Sequence, residues 1–160
     1  MLKMLGYLSI MIGCTAFGIE SGKEIHLRRK ELEELHKFFM LFQLELRLLK
    51  TPVKEILLKL VNKVDLCFKE WVEEIIRGDD FEECWINAIN TNFKDSHLTS
   101  EERNELKQLG KNMGCPEAIS LYLSGLELSI QNTREEEKEK KKLYRSMGIM
   151  GGIFLVILLL

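Results

Sequence analysis

The chain predicts an all-α protein: a cytoplasmic helical bundle held between an N-terminal and a C-terminal membrane segment. Three observations carry this. Apolar residues recur at intervals of three and four through the middle of the chain, the period of an amphipathic helix. No stretch of useful length alternates as a strand would, and two prolines with eleven glycines are too few for a loop-rich fold. Both ends are free of charge, from Met4 to Ile19 and from Met147 to Leu160. The length of 160 residues, with a net charge of −2, suits one small domain and excludes a multidomain enzyme. The expected division is a membrane segment over 1–22, a bundle over 23–133, a charged helical stalk over 134–146 and a membrane segment over 147–160.

The first apolar run would make about 24 Å of helix and the last about 21 Å, against a hydrocarbon core of about 30 Å. Both are short, and flanking residues or a thinned bilayer must make up the difference. Tyr7 and Tyr144 suit the interfaces, and Arg145 can reach outward along its stem. Arg28, Arg29 and Lys30 follow the first run; Lys140, Lys141, Lys142 and Arg145 precede the second. Basic residues on both inner flanks put the middle region in the cytoplasm, with the collars beside anionic lipid headgroups. A competing reading exists: Met11-Ile-Gly-Cys14 approaches a lipoprotein cleavage box, which would make the first run a removable signal. It would place the domain outside, against both collars.

The bundle is expected helix by helix. Leu32, Leu35, Phe39, Phe42, Leu46 and Leu49 form a heptad stripe. Around them Phe38 to Leu49 is apolar almost all round, as a central helix would be. Thr51-Pro52 suits a helix start, with Thr as cap and Pro in the first turn. Val53, Ile56, Leu57, Leu60 and Val61 make the next stripe. Two more follow, at Phe68, Trp71, Val72, Ile75 and at Phe81, Cys84, Trp85, Ala88, divided by Gly78-Asp-Asp80. Thr99-Ser-Glu-Glu102 holds the elements of a capping box, opening a helix through Leu106, Leu109 and Met113 until Gly114-Cys-Pro116 breaks it. A last helix from Pro116 carries Ile119, Leu123, Leu126 and Ile130 and can run unbroken into the membrane. Its stretch from Arg134 to Lys142 is charged all round, which reads as a solvated stalk or as a binding element. Gly148 and Gly152 have the spacing that lets membrane helices approach closely, within the chain or between copies.

Candidate sites are few. Glu45 lies about 200° around its helix from Gln43 and Arg47, on a side shared with Phe38, Phe42, Leu48 and Leu49. A carboxylate there needs a partner. It either accepts hydrogen bonds from a neighbouring helix or helps dock a partner protein. From Asp65 to Glu83 eight acidic residues face only Lys69 and Arg77. Glu70, Glu73, Glu74, Asp79, Asp80, Glu82 and Glu83 are a solvated face, or a docking surface for a basic cytoplasmic partner with Trp71 or Trp85 as anchor. Such a face repels nucleic acid.

No catalytic, cofactor-binding or metal-binding residues are expected. Cys14, Cys67, Cys84 and Cys115 never form a C-x-x-C pair, and reduced thiols are the simpler reading than disulfides. His26, His36 and His97 lack zinc-site spacing. Gly110-Lys111 is not a phosphate-binding loop, because Glu105 and Asn112 stand where that loop needs Gly and Ser or Thr. No nucleophile or second acid accompanies Glu45 in the sequence.

In order along the chain come a Gly-containing apolar segment with basic residues after it, then Glu45-Leu-Arg-Leu-Leu-Lys-Thr-Pro-Val-Lys-Glu-Ile-Leu57, Cys84-Trp85, and Leu106-x-x-Leu-Gly-x-x-Met-Gly114. The charged stalk ends in Tyr144-Arg-Ser-Met-Gly-Ile-Met-Gly-Gly-Ile-Phe-Leu-Val-Ile-Leu-Leu159. Over essentially its full length the chain resembles the stage III sporulation protein AB family. It departs at Gly114-Cys-Pro-Glu117, where the family more often has a polar segment with a Gln. The resemblance implies a non-enzymatic part of the transenvelope channel complex of endospore formers, in the mother-cell membrane. It also implies a fold similar to type II secretion F protein cytoplasmic domains. The expected partners are a secretion-type ATPase, the sporulation protein AA, and other channel-complex membrane proteins. The alternative is a membrane-tethered scaffold that self-associates and contacts no ATPase.

Overall fold

The computed structural model describes residues 2–49, 51–62 and 68–159, with side chains over 23–48, 51–62 and 68–143 and at Ser146, Met147 and Met150. Cys67 lies outside the described residues, and for Cys14, Arg145, Gly148, Gly152 and most of both apolar runs only the helical backbone is described. Six α-helices make up the described chain: α1 (Leu2–Leu49), α2 (Val53–Val61), α3 (Lys69–Arg77), α4 (Phe81–Asn92), α5 (Ser100–Leu109) and α6 (Pro116–Leu159). A 3₁₀ turn, Gly110–Asn112, joins the last two. Among the described residues there is no strand, and no helix is long and apolar enough to cross a membrane.

α1 and α6 are long rods, 48 and 44 residues, or about 72 and 66 Å at 1.5 Å per residue. They lie side by side and antiparallel. Gln43 Nε2 donates to the Pro116 carbonyl at 3.0 Å, Arg134 reaches Glu33 at 2.8 Å, and Arg29 reaches Glu137 at 3.0 Å. Every step back along α1 is met by a step forward along α6. The four short helices pack against one end of this pair, so both long helices leave the bundle on the same side.

The core is aromatic at its centre. Phe38 and Phe39 of α1 meet Trp71 of α3, Phe39 also meets Trp85 of α4, and Phe42 packs on Phe38, all fully buried. The two indoles pack edge to face at 4.9 Å, and Phe39 meets Tyr122 of α6 the same way at 5.1 Å. Such contacts contribute about 0.5–1.5 kcal/mol each beyond area burial. The stripes of α2, α3 and α4 are buried as their spacing requires, with Val53, Phe81 and Cys84 only half covered. The tryptophans are thus core residues, and the expectation that either could anchor a partner is overturned: neither has surface to offer.

Three local departures have physical causes. Thr51 does not cap α2; Pro52 takes that position without a side-chain bond, and its carbonyl accepts from the Glu55 and Ile56 amides. The helix expected to reach Met113 turns 3₁₀ at Gly110, whose Cα lies against the Trp85 indole: a Cβ there would stand 2.3 Å from Cδ1. The central helix is also not covered all round. Met40, Leu44 and Leu48 are 49, 54 and 70% exposed along one side of α1.

Candidate interaction surfaces

Where α1 and α6 emerge from the bundle, charged residues knit them into a neck. The reason is local: α1 carries His26, Arg28, Arg29 and Glu33 within two turns, and α6 brings Arg134, Glu136, Glu137 and Lys141 opposite them. Glu137 accepts from Arg29 Nε at 3.0 Å and from Lys141 Nζ at 2.8 Å, with His26 at 3.7 Å. Glu33 accepts from Arg134 at 2.8 Å and from Arg29 at 3.0 Å. The Lys141 bond, with the charges of Arg29 and His26, outweighs burial and holds the Glu137 carboxyl below its usual range. At Glu33 burial acts upward, but Arg134 and Arg29 together pull the carboxyl down. The stretch expected as a stalk is therefore partnered on its α1 side.

Arg28 turns inward. Its guanidinium grips Glu102 with two bonds, Nε to Oε2 at 3.3 Å and Nη2 to Oε1 at 2.8 Å. Glu102 is 6% exposed and also closes the capping box of α5: its Oε2 accepts from the Thr99 amide at 2.8 Å, while Thr99 Oγ1 accepts from the Glu102 amide at 3.2 Å. The Glu102 bond raises the Arg28 pKa further, so the guanidinium stays charged. Of the basic collar, Arg28, Arg29 and Lys141 are engaged within the protein, whereas Lys30 and Lys142 are exposed and Lys140 half-exposed. A second clamp lies beside it. Glu31 accepts from the His97 amide and pairs with its ring Nδ1, each at 2.9 Å, fixing the α4–α5 connection to α1.

The acidic residues of α3 and α4 divide by what they touch. Glu73 is held by Arg77 at 3.1 Å and Lys69 at 3.9 Å, Glu74 accepts from Asn92 at 2.8 Å, and Glu82 pairs with Lys111 at 3.2 Å. Asp80 caps α4, its Oδ1 accepting from the Glu83 amide at 3.0 Å. Glu70, Asp79 and Glu83 are exposed with no cation within 4 Å among the described residues. The surface is thus carboxylate-rich: Glu73 and Glu82 are paired with cations, and Glu74 and Asp80 accept hydrogen bonds from neutral groups.

The Glu45 side chain stands 21% exposed between α1 and α2 with Lys59 at 4.0 Å; of the residues expected on its side of the helix, Phe38 and Phe42 are buried and Leu48 is exposed. Its Oε2 is buried and accepts no hydrogen bond among the described residues, as Trp71 Nε1 donates none. Trp85, by contrast, donates to the Leu106 carbonyl at 2.8 Å. Among the described residues no three His, Cys, Asp or Glu side chains converge as a metal site, and Cys84 and Cys115 are free thiols.

The described residues thus form a helical bundle hung on two antiparallel rods, with exposed carboxylates on α3 and α4 and an exposed apolar ridge on α1. The chain belongs to the stage III sporulation protein AB family, whose model matches residues 3–160, and a role in sporulation goes with that membership. It is similar to the stage III sporulation protein AB of Bacillus subtilis (strain 168), at 25% identity over 171 residues covering 100% of both chains. No solved structure matches it.

Proposed function

We propose that this protein is a non-enzymatic membrane platform of the sporulation transenvelope channel complex, docking a cytoplasmic secretion-type ATPase at the mother-cell membrane. The observation that carries this is the common exit of α1 and α6: both charge-free ends leave the bundle on one side, behind the neck. Two apolar runs at one pole suit anchoring in one membrane, with the α3–α4 surface projecting into the cytoplasm. Lys30, Lys140 and Lys142 remain available for anionic headgroups there. The unpaired carboxylates Glu70, Asp79 and Glu83 suit a basic partner, and attraction of that kind acts chiefly on encounter rate and salt dependence.

The test is a pull-down of the ATPase by the full chain in detergent. Triple reversal Glu70→Lys, Asp79→Lys, Glu83→Lys should weaken capture at least tenfold and flatten its salt dependence, with the thermal midpoint unchanged. Undiminished capture sinks the docking face. Topology has its own test, since Cys115 is exposed: an impermeant maleimide should label it in inverted vesicles and spare it in intact cells.

A further inference from the structure

Two surfaces of the bundle, neither on the α3–α4 face, are unpartnered and complementary to one another. The first is the outer side of α1. Met40, Leu44 and Leu48 form a ridge about 12 Å long at 1.5 Å per residue. Exposed Lys37 and Arg47 flank it; Lys37 meets no carboxylate within 4 Å among the described residues, and Arg47 donates to the Ser120 hydroxyl at 3.0 Å and acts on the Glu117 carboxyl of its own chain.

The second is a groove of about 510 Å³ between α5 and α6, lined on its apolar side by Leu109, Ala118, Leu121, Tyr122 and Leu128. Leu121 and Leu128 are 77 and 60% exposed. They stand two turns apart, about 10.5 Å, close to the length of the ridge. Gly125 lies between them, and a Cβ there would find only Glu105 Oε2, at 4.0 Å, so the groove is open at its middle. The rim is acidic. Glu105 lines it, and Glu101 lies one turn back on α5, exposed. Burial, then Glu101 and Glu102, push the Glu105 carboxyl up, and no cation lies within 4 Å of it among the described residues.

We propose that the α1 ridge of one copy of this chain seats in the α5–α6 groove of the next. The pairing follows from charge. Ridge against ridge would set Lys37 and Arg47 against their own copies, and groove against groove would set Glu105 against Glu105; only ridge in groove brings cations to the acidic rim. A contact between two different faces is heterologous, so it propagates from copy to copy and closes into a ring or extends as a row in the membrane plane. The α3–α4 surface stays free in either arrangement, so loss of this contact and loss of ATPase capture are separate results.

Disulfide trapping on the full chain in liposomes tests it, in a background with the four native cysteines replaced by Ala. Copies carrying Leu44→Cys and copies carrying Leu128→Cys, mixed and mildly oxidised, should give a covalent dimer at least five times more abundant than either variant alone. Gly125→Leu, which fills the groove, should abolish it; Leu121→Glu, at a site already in water, should do the same should the first variant fail to fold. Glu105→Lys should lower the yield, and Lys37→Glu on the other copy should restore it. Equal yield from single variants, no yield from the mixture, or trapping indifferent to both groove variants overturns the proposal.

Discussion

At the residue scale, Glu102 does two jobs with one carboxylate, capping α5 and neutralising the mostly covered Arg28. Replacing it with Ala should cost about 3 kcal/mol: ~1 for the cap and ~2 for the orphaned guanidinium, less than for a fully buried pair because Arg28 keeps some contact with water. Chemical unfolding of the detergent-held chain, followed by helical circular dichroism, reads this directly. The tryptophans give a cleaner comparison. Both fill the core, but Trp85 has an acceptor for its N–H and Trp71 has none. Trp85→Phe should therefore cost about 1–2 kcal/mol more than Trp71→Phe, the difference being one buried carbonyl left unpaired.

At the element scale, close approach decides where helices stop. Gly110 admits the Trp85 ring, so Gly110→Ala should destabilise by about 1–3 kcal/mol through overpacking. Gly125, in mid-helix with ordinary clearance, should respond in the opposite sense to Ala, gaining up to about 1 kcal/mol. Thermal midpoints of the two variants separate the cases. The same physics sorts what was legible in the sequence. Helix stripes and the Thr99–Glu102 box could be read because their signals are local. The break at Gly110 could not, because its cause, Trp85, stands far away in the chain. Leu98 sits in the α4–α5 connection outside any periodic run, and Phe93 extends the Trp85–Ile89 spacing to the cap of α4; both are buried, with Phe93 stacked on Phe68 at 4.1 Å. The dual role of Glu102 was half visible: its spacing from Thr99 announced the cap and nothing announced Arg28. Likewise, residue order showed Arg29 and Lys141 as a lipid collar, while their pairing with Glu137 depends on how α1 and α6 are registered.

At the scale of the whole molecule, the neck is linked to pH. The Glu33 and Glu137 carboxyls have lowered pKa values when folded, so the native state binds fewer protons than the unfolded one in acid. Their stabilisation is complete above the ordinary carboxylate pKa near 4.5 and fades as pH falls through their folded values. The thermal midpoint should therefore drop below about pH 4.5 more steeply in the parent than in Glu137→Gln. Equal slopes would show that the neck contributes nothing to acid sensitivity.

The antiparallel pairing of α1 and α6 also has a mechanical meaning. Each rod is one unbroken helix that runs through the neck into the core of the bundle, so no flexible joint lies between the neck and the packed aromatic centre. A force that pulls the bundle away from the neck loads both rods along their axes together. A force that slides one rod past the other is opposed at once by Arg29–Glu137, Arg134–Glu33 and Arg28–Glu102, which share the shear rather than giving way one at a time. A partner that tilts the α3–α4 surface would therefore turn the neck as a rigid lever.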